Sequence, residues 1–183
     1  AEPYFLETIR ICEGDRSISR ILLAKAHSAL GGVLRRLGRP DEAERNFKLG
    51  TAALSGDTSI QALSMKATIL GNTGILVQNI GDLPRSKVFY HQSLAVLNSV
   101  IEKGHDPKKK EEDIMNRSRI YLNLASVYFA MMDMERVREW LQLALQDRSS
   151  VLGEGHPDLF RLNEAFGEME AMAGDLQKAA DLF

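Results

Sequence analysis

Cysteine is nearly absent: Cys12 stands alone among 183 residues, so no disulfide can close within the chain and a disulfide-framed scaffold is excluded. A reducing compartment, the cytoplasm, is the expected setting. No run of about 18 apolar residues occurs, so no membrane insertion is expected. The first twenty residues hold Glu2, Glu7, Glu13 and Asp15 and lack the basic start and apolar stretch of a signal peptide. Charge of one sign is missing as well. Lys plus Arg at 23 against Asp plus Glu at 25 leaves a net charge of -2, which gives no global field to draw nucleic acid. The histidines, His27, His91, His105 and His156, are scattered, and neither His-Glu-x-x-His nor Cys-x-x-Cys spacing is present to hold zinc. Cys12 has no neighbouring histidine and reads as a small core residue rather than a nucleophile. No metal, no cofactor and no catalysis are therefore expected.

Strand signals are scarce too, because apolar residues recur three and four apart instead of alternating. From Ser17 the run Ile18, Ile21, Leu22, Ala26, Ala29, Leu30, Val33, Leu34 and Leu37 predicts a helix that stops at Gly38, with Pro40 just beyond. Pro40 and Asp41 suit the first turn of a second helix, which runs to Gly56-Asp57. Helices joined so tightly pack antiparallel. The pattern returns from Ile60 to Ile80, stops at Gly81-Asp82 and restarts at Leu83-Pro84.

Aligning the second-helix starts makes the repeat explicit. Ala43, Ser86, Val137 and Ala179 are equivalent, with steps of 43, 51 and 42 residues, so the period is about 42 with one insertion. Each first helix carries a small residue at one slot, Gly31, Gly74, Ala125 and Gly167. Each second helix carries a bulky one, Phe47, Tyr90, Leu141 and Phe183, as expected where two helices approach closely and a side chain plugs the next layer. The expected division is a partial helix over 1–16 and hairpins over 17–57, 58–104, 105–153 and 154–183. The third has an extended first helix and the fourth is truncated. A chain that opens in a half-repeat and stops after a strongly helical stretch reads as an excised fragment.

Lys108-Lys109-Lys110 followed by Glu111-Glu112-Asp113 reads as the solvated start of the extended helix. Met131, Met132 and Met134 at helical spacing read as core filler, and Trp140 as a packing residue.

These packing positions resemble those of the tetratricopeptide repeat family over residues 17 to 183. The longer period and the link Leu152-Gly153-Glu154-Gly155-His156-Pro157-Asp158 are similar to the repeat subgroup found in kinesin light chains and related adaptors. The resemblance implies an all-α, right-handed α-solenoid of antiparallel hairpins whose first helices line a concave groove for a partner's peptide or helix. On that face lie Lys25 and Arg35 in the first hairpin, Asn72, Gln78 and Asn79 in the second, and Arg119 and Asn123 in the third. Asn72 and Asn123 share one slot, where an amide can pair with a peptide backbone or with a local group instead. The fourth hairpin offers Arg161, Glu164 and Glu168. Ser28 and Gly32 stand where a clamp for chaperone tails needs lysine and asparagine, which argues against that use. Adaptor or scaffold work follows, with a protein or peptide as partner and no direct nucleic-acid contact. Two alternatives stand beside it: self-association through the convex face or the ends, and the peptide-sensing half of a bacterial regulator.

Overall fold

The computed structural model describes residues 1–15, 19–104 and 106–172. Among them lie eight helices and no strand: α1 (Glu2–Gly14), α2 (Arg20–Arg36), α3 (Pro40–Ala53), α4 (Ile60–Asn79), α5 (Leu83–Glu102), α6 (Pro107–Ala130), α7 (Met134–Leu152) and α8 (Pro157–Met172). The helix start expected at Ser17, the linker His105, the second helix expected from Gly174 to Phe183, and the side chains of Arg161 and Glu168 lie outside the described residues. The chain divides into two compact units, Ala1–Lys103 and Gly104–Phe183.

In the first unit α2, α4 and α5 start on side-chain caps. Ser19 Oγ accepts from the Ile21 N–H, Ser59 Oγ from that of Ala62, and Asp82 Oδ1 from that of Arg85. Pro40 and Pro84 sit in first turns, where a missing N–H costs nothing. The helices also stop alike. Gly38 adopts φ 72° while the Arg39 N–H reaches back to the Leu34 carbonyl at 3.0 Å; Gly81 adopts φ 88° while Asp82 reaches Val77 at 3.1 Å. Both are Schellman turns, and both place the following helix antiparallel.

The paired helices close on the expected slot. A Cβ on Gly31 would stand 2.6 Å from the Phe47 ring, and one on Gly74 would stand 2.5 Å from the Tyr90 ring. The rings therefore lie against bare backbone, fully buried. In the third hairpin the same slots hold Ala125 and Leu141, a smaller plug that leaves room for a methyl group. Tyr90 also donates its hydroxyl proton to Gln78 Oε1 at 2.7 Å, and burial pushes that hydroxyl's pKa well above the usual value, with the Arg35 charge pulling the other way. α4 packs on both α2 and α3, and α1 lies on α2 with Ile9 and Cys12 buried. Cys12 is thus a core residue, as its surroundings in the sequence suggest.

In the second unit α6 and α7 form a hairpin, and α8 packs on α7. Asp106 caps α6 through the Lys109 N–H. Lys108, Lys110, Glu111 and Glu112 are exposed. Asp113, however, is buried, which corrects the reading of the whole charge block as solvated: seven residues before Ile120 and eleven before Leu124, it falls on α6's core stripe. Trp140 stacks between Tyr121 and Tyr128, ring centroids 5.6 and 6.5 Å away, with the guanidinium groups of Arg117 and Arg136 over the two tyrosines. It is a packing residue.

The methionines at 131 and 132 do not fill the core. They are 45% and 76% exposed, because they occupy the cap and left-handed positions of the third Schellman turn and so leave the helix seam. Met132 takes φ 60° where the other turns have glycine, and the Asp133 N–H still reaches the Tyr128 carbonyl at 3.0 Å. A left-handed side-chain residue is strained by about 1–2 kcal/mol, partly offset by glycine's greater freedom when unfolded. Met132→Gly is therefore expected to stabilise the protein by about 0.5–1 kcal/mol, raising Tm by about 2 °C in a thermal melt followed by circular dichroism. An unchanged or lower Tm would show that the turn at 132 is unstrained.

Candidate functional site

The site in the first unit is built on one face of α2. Lys25, Ser28, Gly32 and Arg35 follow one another at three- and four-residue steps, so they share one stripe of the helix. With Val33 and Arg36 from α2, Phe5 from α1, and Met65 and Asn72 from α4, they line an open depression of about 330 Å³. Its lining mixes apolar side chains with Ser28 and Asn72 and carries three cations. No carboxylate lines it.

Across the depression the Asn72 amide nitrogen donates to Ser28 Oγ at 3.4 Å, a long bond between first helices of successive hairpins that a ligand could replace at little cost. Arg35 is held from the far side. With the Asn79 amide oriented to satisfy both its groups, its oxygen accepts from Arg35 Nη1 at 3.2 Å and its nitrogen donates to the Ile75 carbonyl at 3.2 Å. Gln78 turns to the core hydroxyl of Tyr90.

The structure thus brings Lys25, Arg35 and Asn72 around one depression, sets Asn79 behind Arg35, and ties Gln78 to the packing ring. In the second unit, Arg119 and Asn123 lie four residues apart on α6, Asn123 half-buried and Arg119 exposed. Arg119 donates to the Asn116 side chain one turn earlier. Sequence reasoning missed Phe5, Met65 and Arg36. The first belongs to the preceding helix, and no first-helix slot pattern reaches it. No group of three or more potential metal-ligating side chains clusters among the described residues, and no described helix is long and apolar enough to cross a membrane.

The hairpin with its buried small-to-bulky contact and repeated Schellman stop is the unit that comparison with known proteins addresses. The tetratricopeptide repeat model matches residues 116–183. The match covers a little over a third of the chain, within its second unit. Residues ahead of it build the same hairpin from the same slots. The crystal structure of BtubC (BKLC) from P. vanneervenii resembles the chain with a TM-score of 0.80 at 23% identity, covering 100% of this chain and 68% of that one. That likeness establishes the fold, an all-α fold of the helical-repeat class. No curated protein matches the chain. Tetratricopeptide repeats are protein–protein interaction modules and generally carry no catalytic site.

Proposed function

We propose that this tetratricopeptide segment is a non-catalytic, cytoplasmic adaptor or scaffold module whose first unit holds an extended acidic segment of a protein partner against α2. The observation that carries this reading is the rim of the depression: Lys25, Arg35 and Arg36 with no carboxylate among the lining residues. Uncompensated like charges around a concavity destabilise the free protein slightly and favour an anionic occupant. Asn72 and Ser28 supply a donor and an acceptor for a peptide main chain. Asn79 acts through Arg35, which it holds in place. Arg119 and Asn123 offer the same chemistry on α6 and are proposed as a separate contact set of the second unit.

Fluorescence anisotropy with fluorescein-labelled (Glu-Ala)6 tests this, with (Gln-Ala)6 as the neutral control. The acidic peptide is expected to bind and the neutral one to bind far more weakly. Replacing Lys25, Arg35 and Arg36 together by glutamine is expected to weaken binding about 10–150-fold, each partly exposed charge being worth about 0.5–1 kcal/mol. The salt dependence should flatten with it. Equal affinity of parent and triple variant would refute the groove reading.

A further inference from the structure

We propose that Gly32 is a specificity-determining contact residue, left bare so that the main chain of the bound segment lies directly against α2. This rests on the groove reading above. A glycine inside a helix is destabilising relative to alanine, so its presence calls for a reason. Most of the glycines here have one in the protein itself. Gly38, Gly56, Gly81, Gly104 and Gly153 sit at positive φ. Gly31, Gly50 and Gly74 are helical, but a Cβ on them would stand 2.6 Å from Phe47, 3.1 Å from Ile69 and 2.5 Å from Tyr90.

Gly32 has neither reason. It lies well inside α2, with no atom within 4 Å of where its Cβ would be. Nor does the repeat demand it, since the same slot holds Ile75 in the second hairpin and Ser126 in the third. Where Gly32 does appear is on the wall of the depression, on the stripe that carries Ser28 and Arg35 and across from Asn72. An extended backbone needs just such a bare stretch to bring its own N–H and C=O groups to Asn72 and Ser28 while its acidic side chains reach Lys25, Arg35 and Arg36. Any side chain at position 32 would hold that backbone off by its own thickness.

The test separates stability from binding. Gly32→Ala and Gly32→Leu are compared with the parent by thermal melt and by anisotropy with labelled (Glu-Ala)6. The alanine variant meets open space and is expected to melt about 2–4 °C higher. It is also expected to bind about tenfold more weakly, and the leucine variant more weakly still while remaining folded. If both variants bind like the parent while the Lys25, Arg35 and Arg36 triple variant loses affinity, the groove reading stands and the role of Gly32 is overturned. If the triple variant also binds like the parent, the groove reading falls and takes this inference with it.

Discussion

Gly74→Ala is expected to destabilise the protein by about 2–3 kcal/mol, although alanine is the better helix former by about 1 kcal/mol. The new methyl would stand 2.5 Å from Tyr90 Cε1 and 2.7 Å from Cδ1, and no real Cβ tolerates such contacts. The ring cannot retreat. It is 0% exposed, and its hydroxyl is fixed to Gln78 at 2.7 Å, so moving it breaks a hydrogen bond as well as packing. Tyr90→Leu alone is expected to cost about 2–3 kcal/mol, through the gap beside Gly74 and the loss of Gln78's donor. The double variant copies the Ala125 and Leu141 pair of the third hairpin. It should be no worse than either single change, which implies a coupling of about 2 kcal/mol in a urea-denaturation cycle followed by circular dichroism. Simple additivity would mean that the two slots do not meet as described.

That pairing was legible in the sequence because it is a constraint of contact, repeated. In the sequence glycine is paired with an aromatic plug three times, and alanine with leucine once, at the same offsets from each turn. Helix ends were legible for a similar reason: Gly38 and Gly81 mark the left-handed position, and Pro40 and Pro84 mark the first turn that follows. The third turn shows the limit of such reading. Met132 adopts the glycine conformation without being glycine, so residue type concealed a backbone state that only its alignment with Gly38 and Gly81 suggests. Helical spacing then placed Met131 and Met132 in the core, whereas the turn lifts both out of it. Asp113 was misplaced in the opposite sense, because a run of charges masked its register on the buried stripe of α6.

The candidate site was legible only along single helices. Lys25, Ser28, Gly32 and Arg35 follow from spacing on α2, and Asn72 from its slot on α4. A depression needs walls from several helices, however, and Phe5 on α1 and Met65 on α4 join it through tertiary packing alone. The engagement of Gln78 by Tyr90 and of Asn79 by Arg35 belongs to that same level, since each pair is far apart in sequence. Electrostatic character emerges there too. The chain as a whole is almost neutral, yet one concave patch gathers three cations without an acid.

Asp147→Ala is expected to cost about 3 kcal/mol, among the largest effects of any surface-adjacent change in the chain. Asp147 on α7 accepts two hydrogen bonds from Arg117 on α6, Nε to Oδ2 at 2.8 Å and Nη2 to Oδ1 at 2.7 Å. The side chains are 22% and 10% exposed, so the pair is largely desolvated and its geometry is bidentate. Removing the carboxylate takes both of these charge-assisted bonds from a half-buried guanidinium beside Tyr121, a loss of about 3–5 kcal/mol when burial is complete and less here because Arg117 keeps some water. Ser118 Oγ cannot substitute, because it is already engaged, donating to the Ala144 carbonyl and accepting from Arg148 Nε. Replacing both partners, Arg117→Met with Asp147→Leu, should restore most of the stability, since no charge is then left unpaired. Trp140 gives the readout. It is the only tryptophan in the chain and stacks within this same hairpin, so its fluorescence during urea denaturation reports α6 and α7 directly. A cost under about 0.5 kcal/mol for the single change would place the pair with ordinary solvent-screened surface bridges, and the hairpin would then be held by its apolar and aromatic packing.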